Sequence, residues 1–159
     1  MASSYSTDLK LELMATGENS GTWGTKTNTN LNLIQQAIAG YEAISIAGGA
    51  QTTALAMTNA TISNARNAVI KFTGTITGNQ IVTIPDSIEK VYIIENATSG
   101  AYTVQFKTVS GTGITWAATD KGHRILYADG TNVVDSETIT QDAIQTLNNK
   151  TLESPKIGT

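Results

Sequence analysis

Short segments that alternate apolar and polar residues run from Tyr41 to about Asp135, separated by glycine and asparagine turns. The clearest has Tyr102, Val104 and Phe106 on one face and polar residues on the other. About seven to nine such segments recur at spacings of roughly 8 to 12 residues, which is typical of a sandwich or barrel. No strand–helix alternation is visible, so a parallel α/β sheet is not expected. The sequence predicts a mainly β domain over 41–135, an antiparallel β-sandwich or small barrel.

The composition supports strands and excludes several classes of function. Charged residues make up 14% of the chain, against about 25% in a typical domain. Threonine takes much of their place, and its branched side chain fits a pleated sheet. The net charge is −3 and the basic residues stand singly, so no nucleic-acid partner is expected. The chain has no cysteine and no apolar run near the roughly 20 residues that span a membrane, so thiolate sites and membrane insertion are not expected.

The sequence predicts that residues 1–28 form an extended N-terminal arm. Leu9, Leu11 and Leu13 alternate with polar residues, which predicts a short strand with one apolar face. Such a strand is weak alone, so we expect the arm to lie against another surface. Trp23 stands between two glycines, where it either anchors an interface or caps the core of its own domain.

A short helix is predicted over residues 29–40. Leu31, Ile34 and Ile38 recur at helical spacing and would form its packed face. Asparagine and threonine before Leu31 are suitable N-caps. Gly40 occupies the position where a left-handed C-terminal cap is common.

Residues 136–159 are predicted to form an extended, shaft-like segment. They are polar with isolated apolar residues and cannot build a core, so Ile144, Leu147 and Leu152 are expected to contact other copies of the chain. We also expect the natural polypeptide to continue beyond Thr159.

No residue set in the sequence predicts a catalytic, cofactor or metal site. His123 is the only histidine and cannot by itself form a multi-histidine site. The carboxylates, such as Asp86 and Asp129, stand at turns and strand ends, where they usually shape the backbone. A pair of glycosidase carboxylates stays open as an unfavoured alternative. Trp116 and the tyrosines could stack on a sugar, but their alternation with threonine favours the core.

Three stretches resemble proteins of tailed-phage virions, notably those of marine and cyanobacterial phages. Residues 16–40 read TGENSGTWGTKTNTNLNLIQQAIAG and match a Gly-Glu-x-x-Gly-x-Trp-Gly core that leads through Asn-Thr-Asn into a short helix. Parts of the β region are also similar, including IPDSIEKVYIIENATSGAYTV and YADGTNVVD. The stretch TLNNKTLESPKI is similar to a motif common in phage fibre shafts.

This resemblance implies a structural, non-enzymatic tail-fibre protein, made in the host cytoplasm and assembled into the virion tail. It implies a homotrimer whose N-terminal part docks onto a tail adaptor or nozzle protein, with a distal region that could face a host glycan. Docking is then expected at Leu9, Leu11, Leu13, Trp23, Leu31 and Ile34. The alternatives are a carbohydrate-binding module, a polysaccharide depolymerase fragment and a capsid decoration or head-fibre protein.

Overall fold

The structure is a computed structural model that describes residues 2–136. It is mainly β with one long helix and one short 3-10 turn at Asn64–Arg66. The helix α1 spans Trp23–Ala39. The strands are β1 Ser4–Tyr5, β2 Glu12–Leu13, β3 Tyr41–Ser45, β4 Gln51–Ala54, β5 Val69–Thr73, β6 Gln80–Ile84, β7 Glu89–Asn96, β8 Val104–Thr108, β9 Gly113–Trp116, β10 Gly122–Asp129 and β11 Val133–Asp135.

Two sheets form the body of the domain. The larger has five strands in the order β11-β10-β7-β5-β3, and the smaller has four in the order β4-β6-β8-β9. From β3 to β8 the chain alternates between the sheets, so each strand lies beside the strand two places earlier. The pairs β3·β5, β5·β7, β4·β6 and β6·β8 are therefore parallel. The last three strands pair antiparallel with their neighbours: β9 with β8, β10 with β7, and β11 with β10.

The prediction of a mainly β fold is confirmed, and the two facing sheets agree with a sandwich. The prediction of a wholly antiparallel arrangement is wrong. Alternation of apolar and polar residues reports which face of a strand is buried, and parallel and antiparallel strands share that period of two. The absence of strand–helix alternation argues against a parallel α/β sheet, but it does not exclude parallel pairing that uses no helix. Here the crossover from one parallel strand to the next is made by a strand of the opposite sheet.

The core lies between the sheets and is held by large side chains from both. Phe106 of β8 packs against Phe72 of β5 and Tyr92 of β7, with ring centroids 5.9 and 5.6 Å apart. The hydroxyl of Tyr92 donates to the carbonyl oxygen of Ala65 at 2.9 Å, so its one polar atom is satisfied. Trp116 is fully buried. The interpretation of Trp116 as a core residue is confirmed.

A glycine allows two turns of the chain to approach closely at one corner of the domain. Gly100 has φ of +103°, and a Cβ there would lie 2.2 Å from the carbonyl oxygen of Ile76. The amide of Ile76 in turn donates to the carbonyl oxygen of Ser99 at 2.9 Å. Any larger residue at position 100 would force these backbones apart.

Helix α1 begins earlier than the sequence predicts, at Trp23 instead of near residue 29. Glycine, threonine and asparagine fill its first two turns and have low helix propensity. Tertiary contacts compensate, because Lys26 pairs with Glu12 at 2.9 Å. Gly40 follows the helix with φ of −70°, so the predicted left-handed cap is wrong. A Cβ at Gly40 would lie 2.2 Å from the carbonyl oxygen of Gln36, so close approach is what requires glycine.

The predicted extended arm is also wrong in part. Strands β1 and β2 pair with each other, Ser4 opposite Leu13 and Tyr5 opposite Glu12, to form a small hairpin. This hairpin is bound to the rest of the domain, as the next section describes. The predicted shaft segment over 136–159 lies outside the described residues from 137 onward, as do Ile144, Leu147 and Leu152.

Candidate docking surface

A buried arginine fixes the N-terminal region to the β domain. Arg66 is fully buried, and its Nε donates to the carbonyl oxygen of Leu9 at 3.0 Å. Its other nitrogens donate to the carbonyl oxygens of Thr58, at 2.8 Å, and Thr61. A weaker bond of 3.4 Å reaches Oε1 of Gln36 in α1. Burial lowers the pKa of Arg66, and backbone dipoles stabilise the charge in place of a carboxylate.

A second contact joins the arm to the helix through Glu12. Its backbone exchanges two hydrogen bonds with the side-chain amide of Asn30, at 3.0 and 2.8 Å. Its buried carboxylate pairs with Lys26. The hydrogen bond from Lys26 lowers the pKa of Glu12, and burial acts in the opposite direction. The arm therefore holds α1 in place by polar contacts.

The predicted apolar face of the arm does not form. Strand β2 contains only Glu12 and Leu13. Leu9 and Leu11 are half-buried, whereas Leu13 is half exposed and the polar residue Glu12 is buried. The ion pair with Lys26 is what turns Glu12 inward. Leu13 thus lies on the outside of the arm, apart from Leu9 and Leu11.

An unpartnered apolar stripe runs along α1. Trp23, Leu31 and Ile38 are 65%, 56% and 74% exposed, and Ile34 is half-buried. At 100° per residue these four positions fall on one side of the helix. We call Trp23, Leu31, Ile34 and Ile38 the helix stripe. The residue that packs inward is Leu33, 1% exposed, so the prediction that Leu31, Ile34 and Ile38 form the packed face is wrong.

The solvent side of the five-stranded sheet is a second exposed apolar surface. The apolar residues on this side, which we call the outer face, are Tyr41, Val69, Val91, Ile93, Ile125, Tyr127 and Val134. The same side also carries Lys71, Glu89, Glu95 and His123. One row crosses four strands, because Tyr41 pairs with Val69, Val69 with Ile93, and Ile93 with Ile125. Val91 is 61% exposed and Tyr127 42%.

The solvent side of the four-stranded sheet is different. There one row reads Thr52, Ile81, Gln105 and Thr115 across β4, β6, β8 and β9. Thr83 and Lys107 stand in the next row. Polar residues are what a sheet normally turns toward water. The two sheets of one domain therefore differ in how much apolar side chain they turn toward solvent.

The carboxylates of Asp86, Asp120, Asp129 and Asp135 each have a partner that fixes them in the fold. Asp86 accepts hydrogen bonds from the backbone and hydroxyl of Ser110, which lower its pKa. Arg124 pairs with both Asp120 and Asp135, at 2.6 and 2.8 Å. Asp129 accepts from the amides at 131 and 132 in a tight turn, and these bonds lower its pKa.

His123 lies exposed on β10, opposite Glu95 in the neighbouring strand. The carboxylate of Glu95 is already paired with Lys71 at 2.9 Å. Among residues 2–136, no three acidic or histidine side chains stand where they could share a metal ion. A cleft of about 250 Å³ is lined by Asp86, Ser110, Gly111, Gly130 and Thr131, and its one carboxylate is held by Ser110.

Sequence reasoning missed Arg66, Gln36 and Asn30, which assemble the N-terminal region. It placed a turn at residues 64–67, which agrees with the observed 3-10 turn. Nothing in the local pattern marks Arg66 as buried, because its partners Leu9 and Gln36 lie 57 and 30 positions away in the sequence. Trp23, Leu31 and Ile34, predicted as docking residues, do lie together on one side of α1.

The chain was compared with protein-family models, with curated proteins and with solved structures, and none matches. In the described part of the chain, α1 is too short and too polar to cross a membrane.

Proposed function

We propose that this chain is a structural virion protein that forms the N-terminal, tail-docking part of a trimeric phage tail fibre. The observation that carries the proposal is the helix stripe, whose four apolar side chains lie on one side of α1, with Trp23, Leu31 and Ile38 more than half exposed. A surface helix normally turns polar residues outward. Apolar residues clustered on the outside mark a site of protein association.

The stripe coincides with the sequence motif that resembles virion proteins. Trp23 is the first residue of α1 and the tryptophan of that motif. Tryptophan in the centre of an interface often supplies much of the binding energy. Glu12 contacts Lys26 and Asn30, which lie between the stripe and the buried Leu33 around the helix, and Trp23, Leu31 and Ile38 stay exposed.

The partner proposed for the stripe is an adaptor or nozzle protein of the tail. Burial of apolar surface would stabilise the contact by about 25 cal/mol per Å². Such a contact depends little on salt, because no charged side chain belongs to the stripe. Leu147 and Leu152, outside the described residues, are proposed to contact neighbouring copies in the trimer.

Two exposed isoleucines provide a matched test. Ile38 belongs to the stripe and is 74% exposed, whereas Ile62 lies in the loop before the 3-10 turn, outside the stripe, and is 75% exposed. Variants would be supplied in trans to particles that lack the protein, and the protein per particle would be measured by immunoblot. We expect Ile38→Ser and Trp23→Ala to reduce incorporation at least tenfold, with Ile62→Ser unchanged. Equal incorporation of Ile38→Ser and Ile62→Ser would refute docking through the stripe.

A capsid decoration or head-fibre protein is the first alternative, because the same stripe could dock on the capsid. Immunogold labelling of intact particles distinguishes the two, with gold at the tail supporting the fibre. The second alternative is a carbohydrate-binding module, favoured by Tyr41 and Tyr127, which expose aromatic rings on the outer face. Glycan binding lost in Tyr127→Ala would support it.

A further inference from the structure

We propose that the free edge of strand β3, at Tyr41–Ser45, accepts an extended strand of the tail protein onto which the chain docks. Strand β3 is the last strand on one side of the five-stranded sheet, so the added strand would extend that sheet. The inference rests on the proposed function, because it names a second contact with the same partner. It differs from the helix stripe in its chemistry, since backbone hydrogen bonds would form the contact.

The backbone of β3 leaves every second residue without a hydrogen-bond partner. The amide of Ile46 donates to the carbonyl oxygen of Thr73, and the amide of Val69 donates to the carbonyl oxygen of Gly40, at 3.0 Å each. With the parallel register of β3 and β5, these bonds assign the even-numbered residues of β3 to the contact with β5. The odd-numbered residues are exposed, and their amide and carbonyl groups point away from β5 without a partner among residues 2–136: Tyr41, Ala43 and Ser45.

The side chains that β3 and β4 turn toward the core are incompletely covered. Strands β3 to β8 form three stacked coils, each with one strand in either sheet, and β3 and β4 make the first coil. Ile44 lies beside Phe72 in this stack, but Ile44 is half-buried whereas Phe72 is fully buried. Thr53 is likewise half-buried beside the fully buried Val82. A strand with an apolar residue next to Ile44 would complete its burial, as β3 does for β5.

The opposite end of the stack is closed by hydrogen bonds between the two sheets. The amide of Val133 in β11 donates to the carbonyl oxygen of Thr112, just before β9, at 3.0 Å. The amide of Thr112 donates in turn to Oδ1 of Asn132 at 2.8 Å. Strand β3 has neither the lysine nor the proline that commonly prevents pairing at an exposed edge. Its one charged side chain, Glu42, already accepts a hydrogen bond from Asn67 at 2.7 Å.

The free edge begins where the helix stripe ends. Ile38 of the stripe and Tyr41 of β3 are 74% and 59% exposed, and only Ala39 and Gly40 separate them. A partner bound to the stripe is therefore held next to the edge, which raises its effective concentration there. Extended segments bind such sheet edges through main-chain hydrogen bonds. The partner that fits is an extended segment with unpaired backbone groups and an apolar side chain to cover Ile44.

Hydrogen exchange of the isolated full chain, measured by NMR for each amide, tests whether the edge is available. We expect the amides of Ala43 and Ser45 to exchange at least about tenfold faster than those of Ile44 and Ile46, which bond to β5. Equal protection of all four amides would mean that this chain or a second copy already covers the edge. That result would overturn the proposal.

Incorporation into particles, measured as for the helix stripe, tests the strand itself. Ala43→Pro removes the free amide, and Ala43→Ser is the matched control that keeps it. We expect at least about tenfold less incorporation of Ala43→Pro than of Ala43→Ser, with thermal unfolding to show that both are folded. Ser45→Lys adds a charge at the same edge and keeps the backbone, so it decides the question if Ala43→Pro does not fold. It should be incorporated less than Ser45→Thr.

The variants separate a failure of this inference from a failure of the proposed function. Normal incorporation of folded Ala43→Pro, or of Ser45→Lys, together with loss of Ile38→Ser, would overturn strand addition and leave docking through the stripe in place. Equal loss in Ala43→Pro and Ala43→Ser would also overturn it, because serine keeps the amide. Absence of the parent chain from the particles would overturn the proposed function and this inference together.

Discussion

The Nε of Arg66 donates to the carbonyl oxygen of Leu9 at 3.0 Å, joining the N-terminal arm to a turn 57 positions away in the sequence. The same guanidinium also holds Thr58 and Thr61. This contact positions the hairpin of the arm against the β domain. The hairpin, through Glu12, then positions α1. The exposure of the helix stripe therefore depends on one buried side chain.

Replacing Arg66 should destabilise the N-terminal region strongly. Arg66→Met leaves three part-buried carbonyl groups without their donor, and the expected loss of unfolding free energy is about 3 kcal/mol. Arg66→Lys should recover part of it, since a lysine can satisfy some of the acceptors. Urea denaturation measures both values. Trypsin cleavage at Lys10 should also become faster in Arg66→Met, and a variant as stable and protected as the parent would contradict the assigned role.

Glu12 should make stability sensitive to acid. Its folded-state pKa is lowered, mainly by the hydrogen bond from Lys26. A carboxyl with a lowered pKa stabilises the fold above its unfolded pKa, and this contribution is lost as the pH falls through the folded value. Below about pH 4.5, the melting temperature should therefore fall less steeply with decreasing pH in Glu12→Gln than in the parent. Glu89→Gln, at an exposed position of β7, is the control and should leave that decline as in the parent.

Lys90 should make stability rise with pH in the alkaline range. Burial lowers its pKa to about 8, and its ammonium group donates to the carbonyl oxygens of Asn67 and Val91, at 3.0 Å each. Between the folded value and the unfolded value of 10.5, the unfolded chain binds more protons than the folded one. Stability should then increase from pH 8 to pH 10 by at most about 1.4 kcal/mol per unit.

Lys90→Met tests this assignment by denaturation at several pH values. Between pH 8 and pH 10, the free energy of unfolding should rise less per pH unit in the variant than in the parent. Tyr92 titrates above this window, because burial raises its pKa. If the free energy of unfolding rose equally with pH in the two proteins, Lys90 would be excluded as the cause of the rise.

Gly100 should tolerate no side chain. Gly100→Ala places a Cβ 2.2 Å from the carbonyl oxygen of Ile76, in a backbone with φ of +103°. Gly122→Ala is the matched control, since Gly122 has φ of +95° with nothing within 4 Å of the added atom. The left-handed backbone alone costs about 1–2 kcal/mol. We expect Gly100→Ala to lose clearly more than Gly122→Ala in calorimetry, and equal losses would remove the steric explanation.

The amino-acid sequence by itself determined most strands of the β domain and several of the turns between them. The alternation at Val104 and Phe106 predicts the strand there. The sequence also predicts the turn at residues 64–67 and the helix before Gly40. These features are local, because a period of two or a turn depends only on residues adjacent in the chain. The mainly β class followed from them.

Only the tertiary structure decided which strands pair and which side of each element meets water. Phe72 lies beside Ile44 in a parallel pair, and nothing in either segment specifies that partner or its direction. Leu33 is buried while Leu31 and Ile38 are exposed, because Glu12 and Asn30 fix the rotation of α1. Such outcomes depend on contacts between residues far apart in the chain, and periodicity within a segment carries no information about them.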